Sequence, residues 1–249
     1  VEDRNLGPSN CLTTGKSMSK DRVINLYERG LEIGKSSKQP ILISESVPGG
    51  TTTAQAVMEA FGLQVSNLVG SSLFKAPREL RRKVVQKGLL NANLKTDFDS
   101  FDVVASLGDP FQAFSMGLLI GVRLANQPVI LSGGSQMLAV VVLVLELLDT
   151  KNKDDFIEEV FIATTGWLLK DNSLNDLLNL INEKYEINLL GLASPLNFKS
   201  SKYKELKDYE IGHVKEGVGA GGISILAFLN GFKNHEIVSL CQQNLEIMK

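Results

Sequence analysis

Two cysteines and two histidines are the only thiols and imidazoles that this 249-residue chain offers a zinc ion. Cys11 and Cys241 form no CxxC and have no zinc-type spacing to His213 or His235, so no metal ligand is assigned. Both thiols are read as reduced, in a cytoplasmic protein. Aromatic residues make up only 6% and the formal net charge is -2, which gives no whole-chain reason to expect nucleic acid or an anionic membrane as partner. Long apolar runs are missing as well. The longest, MLAVVVLVL from Met137 to Leu145, falls far short of the roughly 18 residues of a spanning helix and reads as a helix buried on most sides. The polar start VEDRNLGPSN shows no signal peptide. Two familiar nucleotide signatures are absent too. Walker A needs Gly-Lys-Ser/Thr where Gly50 is followed by Thr51-Thr52-Thr53, and Gly217-Val218-Gly219-Ala220-Gly221-Gly222 lies late, with spacing unlike a dinucleotide fingerprint. ATPase and dehydrogenase readings lose support accordingly.

What is present is an ordinary globular balance, 43% apolar and 22% charged, over a length suited to one large domain or two small ones. A helix start at Ser19-Lys20-Asp21 leads into Val23, Ile24, Tyr27 and Leu31 on one face. Short apolar strands are expected at 41–44 (ILIS), 67–70 (NLVG), 103–107 (VVASL), 129–132 (VILS), 160–164 (VFIAT) and 188–193 (NLLGLA). Helices are expected between them at 51–61, 77–91, 111–124, 136–148 and 174–184, with Leu80, Val84 and Leu89/Leu90 turned to the core in the charged one. The Lys- and Ser-rich stretch 194–210 has no clear period, and two further helices, 223–230 and 235–248, close the chain. About six such strands alternating with helices predict an α/β fold, a mostly parallel, Rossmann-like sheet with helices on both faces, over residues 1–249 as a single nucleotide-binding domain. Ligands of such sheets bind at the carboxyl ends of the strands.

Glycine turns precede helices at three places: VPGGTTT, SGGSQ and KEGVGAGG. A helix start presents unpaired N–H groups and partial positive charge, and glycine lets a phosphate come close to them. The plainer alternative is an ordinary βα turn with a Ser/Thr cap. Gly49, Gly50, Thr51, Thr52, Thr53, Gly133, Gly134, Gly217 and Gly219 are therefore candidate ligand contacts. Glu45 and Glu216 flank two of these loops. A carboxylate there repels phosphate, so it serves another part of the ligand, unless Glu45 caps helix N–H groups and Glu216 is solvated beside Lys215.

These residues resemble the nicotinate-nucleotide:dimethylbenzimidazole phosphoribosyltransferase family. Glu45-Ser46-Val47-Pro48-Gly49-Gly50-Thr51-Thr52-Thr53-Ala54 is similar, without a gap, to the family's Glu-Met-Gly-Ile-Gly-Asn-Thr-Thr-Ala-Ala stretch. Lys215-Glu216-Gly217-Val218-Gly219-Ala220 is similar to its Gly-Glu-Gly-Thr/Ser-Gly-Ala. Val69-Gly70 with Arg82-Lys83, and Thr14-Gly15 with Met18-Ser19, fit in order. Departures mark a divergent branch: Gly108-Asp109-Pro110-Phe111 stands at the family's Gly-Gly-x-Glu, Ser132-Gly133-Gly134 at its Asp-Gly-Phe, and Thr164-Thr165-Gly166-Trp167 at its Ser-His segment. The family's N-terminal region, which helps to form the base pocket, has no counterpart here, and a preceding segment is expected.

The resemblance implies transfer of a 5-phosphoribosyl group from nicotinate mononucleotide to an aromatic base, 5,6-dimethylbenzimidazole or a relative, in a cytoplasmic homodimer without cofactor. It implies Glu216 as general base and Glu45 as the carboxylate that steadies charge at C1′ or holds the ribose hydroxyls. Lys83 becomes a phosphate partner. Against a transferase of pyrophosphate-activated ribose, no acidic pair for Mg²⁺ stands at a strand end. A catalytically silent nucleotide-binding or regulatory relative would keep the loops and tolerate loss of Glu216.

Overall fold

The computed structural model describes residues 7–70, 77–214 and 219–248. Four strands, β1 (Ile41–Ser44), β2 (Val129–Ser132), β3 (Val160–Thr165) and β4 (Leu190–Ser194), form one sheet in the order β1-β2-β3-β4. Every pairing is parallel, with Ile43, Leu131, Ile162 and Gly191 in one row. Parallel register sets all four carboxyl ends at one edge. Ser44 pairs with Ser132, and Thr165 pairs with Ser194.

The helices are α1 (Lys20–Lys35), α2 (Gly50–Ala60), α3 (Arg78–Ala92), α4 (Ser100–Leu107), α5 (Pro110–Leu124), α6 (Ser135–Leu145), α7 (Lys153–Ile157), α8 (Ser173–Tyr185), α9 (Lys204–Lys207), α10 (Ala220–Leu229) and α11 (Asn234–Ile247). Their starts follow cap chemistry. Ser19 accepts from Arg22 N–H at α1, and Asp99 with Asp102, then Asp109 with Gln112, form capping boxes at α4 and α5. Helix α6 runs through the core, every residue from Met137 to Leu145 having no exposed surface, as its unbroken apolar run predicts.

The sheet has four strands among the described residues, not about six. Residues 103–107 are helical. Asp99 caps α4, and Val103, Val104 and Leu107, at helical spacing, are fully buried on one face. Residues 67–70 form a turn whose Val69 and Gly70 carbonyls accept from the Arg81 guanidinium, which leaves them no strand partner. On α3 the inward face is also not the expected one. Leu80 and Leu90 are 65% and 79% exposed, while Arg81, Val85 and Gly88 are buried. Arg81 can turn in because Gln55 and those two carbonyls satisfy it.

The two faces of the sheet are covered unequally. Val129, Leu131, Val160 and Ile162 are buried in the main core. On the opposite face Leu190 and Leu192 of β4 stay 48% and 42% exposed. Helix α10 lies over the carboxyl end of that face, where a Cβ on Gly222 would sit 3.1 Å from Leu42 Cδ1. The stretch 194–210, unassigned from sequence, supplies Leu196, Phe198 and Leu206 to a second small core with Trp167 and Val238. There the Trp167 and Phe198 rings stack at 5.2 Å, and Glu210 accepts from Trp167 Nε1 and Phe198 N–H.

Candidate functional site

The carboxyl edge of the sheet is a row of hydroxyls: Ser44, Ser132, Thr164 and Thr165, and Ser194. Three helices begin beside it, and each has glycine as its N-cap: Gly49 for α2, Gly134 for α6 and Gly219 for α10. None of the three caps provides a side-chain hydrogen bond of its own. A glycine cap has no side chain for the first N–H groups: at α2 those of Gly50 and Thr52 turn back to the Val47 and Gly49 carbonyls, and elsewhere a partner comes from outside the cap.

For α10 that partner is a strand residue. Ser132 Oγ accepts from Gly222 N–H at 2.8 Å and donates to the Gly219 carbonyl at 2.7 Å. The serine at the end of β2 thus performs the cap that Gly219 cannot. On β4, Ser194 and Ser224 join through their hydroxyls at 2.7 Å, and Gly221 rests on the Thr164 backbone. Gly219 has φ +81°, in the left-handed region that glycine enters without strain. The four strand ends and the start of α10 therefore form one locked unit.

The other two turns meet each other. A Cβ on Gly50 would lie 2.6 Å from Gln136 Nε2 and 3.1 Å from Val47 Cβ, so the start of α2 lies against the start of α6. Gly49 is exposed with φ +79°, Gly50 is buried, and Thr51 and Thr52 are half-buried. Thr53 turns inward, its Oγ1 3.0 Å from the Gly50 carbonyl and 2.5 Å from Asp109 Oδ2. Gly133 continues the ladder by donating to the Ala163 carbonyl, and Gly134 faces Leu168. Glu45 accepts from Val47 N–H at 2.7 Å, so its carboxylate holds the turn that leads to Gly49.

Of the residues singled out from sequence, the structure groups Gly50 with the α6 start, and Gly219 with Ser44 and Ser132. Lys83 is 72% exposed on α3, and its ion-pair partner is Glu79 at 3.7 Å. Glu216 and Gly217 lie outside the described residues. Sequence reasoning missed Ser44, Ser132, Arg81 and Asp109. For Asp109 a signal existed in Asp109-Pro110-Phe111-Gln112, an N-cap with proline at N1 and glutamine at N3. Arg81 holds the 69–70 turn, whose Gly70 N–H donates to Ser135 Oγ at the start of α6.

Titration sharpens two groups here. Burial is the main influence on Asp109, 4% exposed, and pushes its carboxyl up, against its hydrogen bonds with the Thr53 hydroxyl and the Gln112 and Phe111 N–H groups. Glu59 is also raised, by burial first, with Gln55, Arg81 and Arg82 opposing. Among the described residues no group of three or more His, Cys, Asp or Glu could hold a metal ion, and no helix is long and apolar enough to cross a membrane.

Comparison with known proteins adds the family. A family model described as phosphoribosyltransferase matches residues 4–152, more than half of the chain. A UPF0284 protein of Prochlorococcus marinus strain MIT 9312 is 91% identical over all 249 residues, and one of strain MIT 9313 is 41% identical over 98% of the chain. The chain spans 65% and 62% of those relatives' own lengths. The crystal structure of CobT from Thermus thermophilus superposes with a TM-score of 0.60 at 14% identity, over 89% of this chain and 58% of that one. A structure of nicotinate-nucleotide-dimethylbenzimidazole phosphoribosyltransferase from the same organism gives 0.53 at 13%, over 87% and 62%. Those likenesses establish the fold, and with the family match the resemblance read from the motifs holds: the chain belongs to the phosphoribosyltransferase family, as a divergent branch.

Proposed function

We propose that the chain transfers a 5-phosphoribosyl group from nicotinate mononucleotide to an aromatic base of the benzimidazole kind. The observation that carries this reading is the meeting of glycine-capped helix starts at one sheet edge, with Gly50 against Gln136 and Gly219 against Ser44 and Ser132. Such an edge suits a phosphate, which backbone N–H groups and helix dipoles hold without a cation.

The chemistry then asks little of side chains. The pyridinium nitrogen of the nucleotide becomes neutral as nicotinate leaves, so the leaving group needs no acid. The incoming base must shed its N–H proton while its other nitrogen attacks C1′. One carboxylate suffices, and motif similarity gives that role to Glu216. Positive charge at C1′ in the transition state is steadied by a second carboxylate, for which Glu45 is the candidate. Its hold on Val47 N–H fixes the carboxylate beside the Gly49–Gly50 turn. The same contact supports a second reading, a silent nucleotide-binding relative in which Glu45 only shapes the turn.

The test is incubation with nicotinate mononucleotide and a panel of bases, with nicotinate release as readout and a thermal shift as a measure of binding. Base-dependent release supports transfer. A thermal shift without release under any base selects the silent relative, and absence of both removes the nucleotide reading.

A further inference from the structure

Thr53 has one hydroxyl proton and two oxygens in reach, the Gly50 carbonyl at 3.0 Å and Asp109 Oδ2 at 2.5 Å. If Asp109 were ionised, both would be acceptors. The hydroxyl could serve only one, and the other contact would set lone pair against lone pair beside a side chain that is 4% exposed. A proton on Oδ2 resolves both distances. Asp109 then donates to Thr53, and Thr53 donates to Gly50. Oδ1 already accepts from Gln112 N–H at 3.0 Å, and the Phe111 N–H also turns to the carboxyl; Oδ2 is the oxygen that faces Thr53, and the proton belongs there.

The surroundings agree. Among the described residues no cation pairs with Asp109. Helix α6 has no ionisable side chain, and Glu59, the only one on α2, lies more than a turn beyond Thr53. On α4, Asp102 is bound to Lys20 of α1; Arg22 of α1 reaches the Gly7 carbonyl, and Arg123 of α5 is held by Glu159. Glu45 is engaged with Val47. The start of α5 favours an anion, yet burial outweighs it and moves the carboxyl upward.

We propose that Asp109 is a positioning residue for the Pro48-Gly49-Gly50 turn: as a neutral acid it grips Thr53 and, through that hydroxyl, fixes the Gly50 carbonyl at the start of α2. The functional part rests on the phosphate reading of that turn. A neutral acid orders the turn without adding a negative charge next to the anion, which a carboxylate would repel.

Asp109→Asn tests it, because the amide can donate to Thr53 and accept from Gln112 while having no proton to lose. The first readout is unfolding free energy against pH, without ligand. A group raised on folding contributes stability that is whole below the unfolded carboxyl range, about pH 4, and is lost as pH rises through its folded value. Wild type should therefore fall relative to Asp109→Asn as pH rises, and Asp109→Ala should be the least stable of the three. A deficit in Asp109→Asn at neutral pH that shrinks on acidification would overturn the proposal, since it marks a working carboxylate. That profile decides the matter even where the alanine variant fails to fold. The second readout is nicotinate mononucleotide affinity: Asp109→Asn should bind within about twofold of wild type, and Asp109→Ala on the order of tenfold more weakly. Should wild type bind no nucleotide, the phosphate reading falls while the pH profile still judges the acid.

Discussion

Gly219 lies so close to Ser44 that a Cβ on it would collide with the serine's own Cβ, and its carbonyl accepts a hydrogen bond from the Ser132 hydroxyl. The first residue of the α10 turn is thus wedged between the ends of β1 and β2. Gly219→Ala should destabilise by more than about 2 kcal/mol, combining a left-handed φ with a clash against sheet residues that cannot retreat. Chemical denaturation measures it. A loss under about 0.5 kcal/mol would mean that the turn moves freely and is not locked to the sheet.

Ser132→Ala removes the cap that β2 supplies to α10. Gly222 N–H loses its partner where the lost serine was 1% exposed, while the Gly219 carbonyl keeps only the Ile223 N–H. The expected cost is about 1–2 kcal/mol, the range of a lost cap. Nicotinate mononucleotide should also protect this variant less against heat, because the start of α10 is no longer fixed. Full protection would separate α10 from the nucleotide site.

Gly50 meets the flexible end of Gln136 rather than backbone. Gly50→Ala should therefore fold with little penalty as that amide swings away, while Gly50→Val crowds the start of α2. Ligand bound only to the folded state adds RT ln(1 + [L]/Kd) to stability. Gly50→Val should lose most of the nucleotide-induced rise in melting temperature. An unchanged rise would put the phosphate elsewhere.

Two cations on α3 have opposite prospects. Arg81 spreads its guanidinium over Gln55 Oε1 and the Val69 and Gly70 carbonyls at 2.7–2.9 Å, a three-way geometry that an ammonium cannot copy. Arg81→Lys should cost about 2–3 kcal/mol, because it strands buried acceptors. Lys83→Ala, at an exposed pair with Glu79, should stay within about 0.5 kcal/mol and leave the nucleotide thermal shift intact. Loss of that shift would restore Lys83 as a phosphate partner.

Legibility in the sequence followed the range of the interactions. The strands at 41–44, 129–132 and 160–164, and the buried helix of 137–145, were readable because an apolar run bounded by proline, glycine or polar residues has one outlet, the core. The segment 103–107 misled because five residues, apolar but for Ser106, do not reveal their period. The Asp99–Asp102 box that makes them helical lies upstream of the run. Arg81 was hidden for another reason. Its burial depends on carbonyls that only the folded turn at 69–70 brings within reach. The glycine turns of the candidate site were visible, but the hydroxyls that lock them, Ser132 and Thr53, find their partners across 87 and 56 residues of chain.

The two candidate carboxylates should separate binding from chemistry. Glu216→Gln keeps shape and hydrogen bonding but cannot take a proton from the incoming base near neutral pH. Nucleotide affinity should change little, while turnover falls by roughly two to four orders of magnitude, the range for a lost general base. Glu45→Gln makes a different demand. Its amide oxygen can still accept from Val47 N–H, so the turn and the nucleotide shift should persist. If Glu45 steadies charge at C1′, the neutral amide weakens an interaction that exists in full only in the transition state, and kcat should fall while KM for the nucleotide holds. If Glu45 only shapes the turn, both constants stay near wild type. Near-wild-type turnover in Glu216→Gln together with a kcat loss in Glu45→Gln would move the base role from the former to the latter.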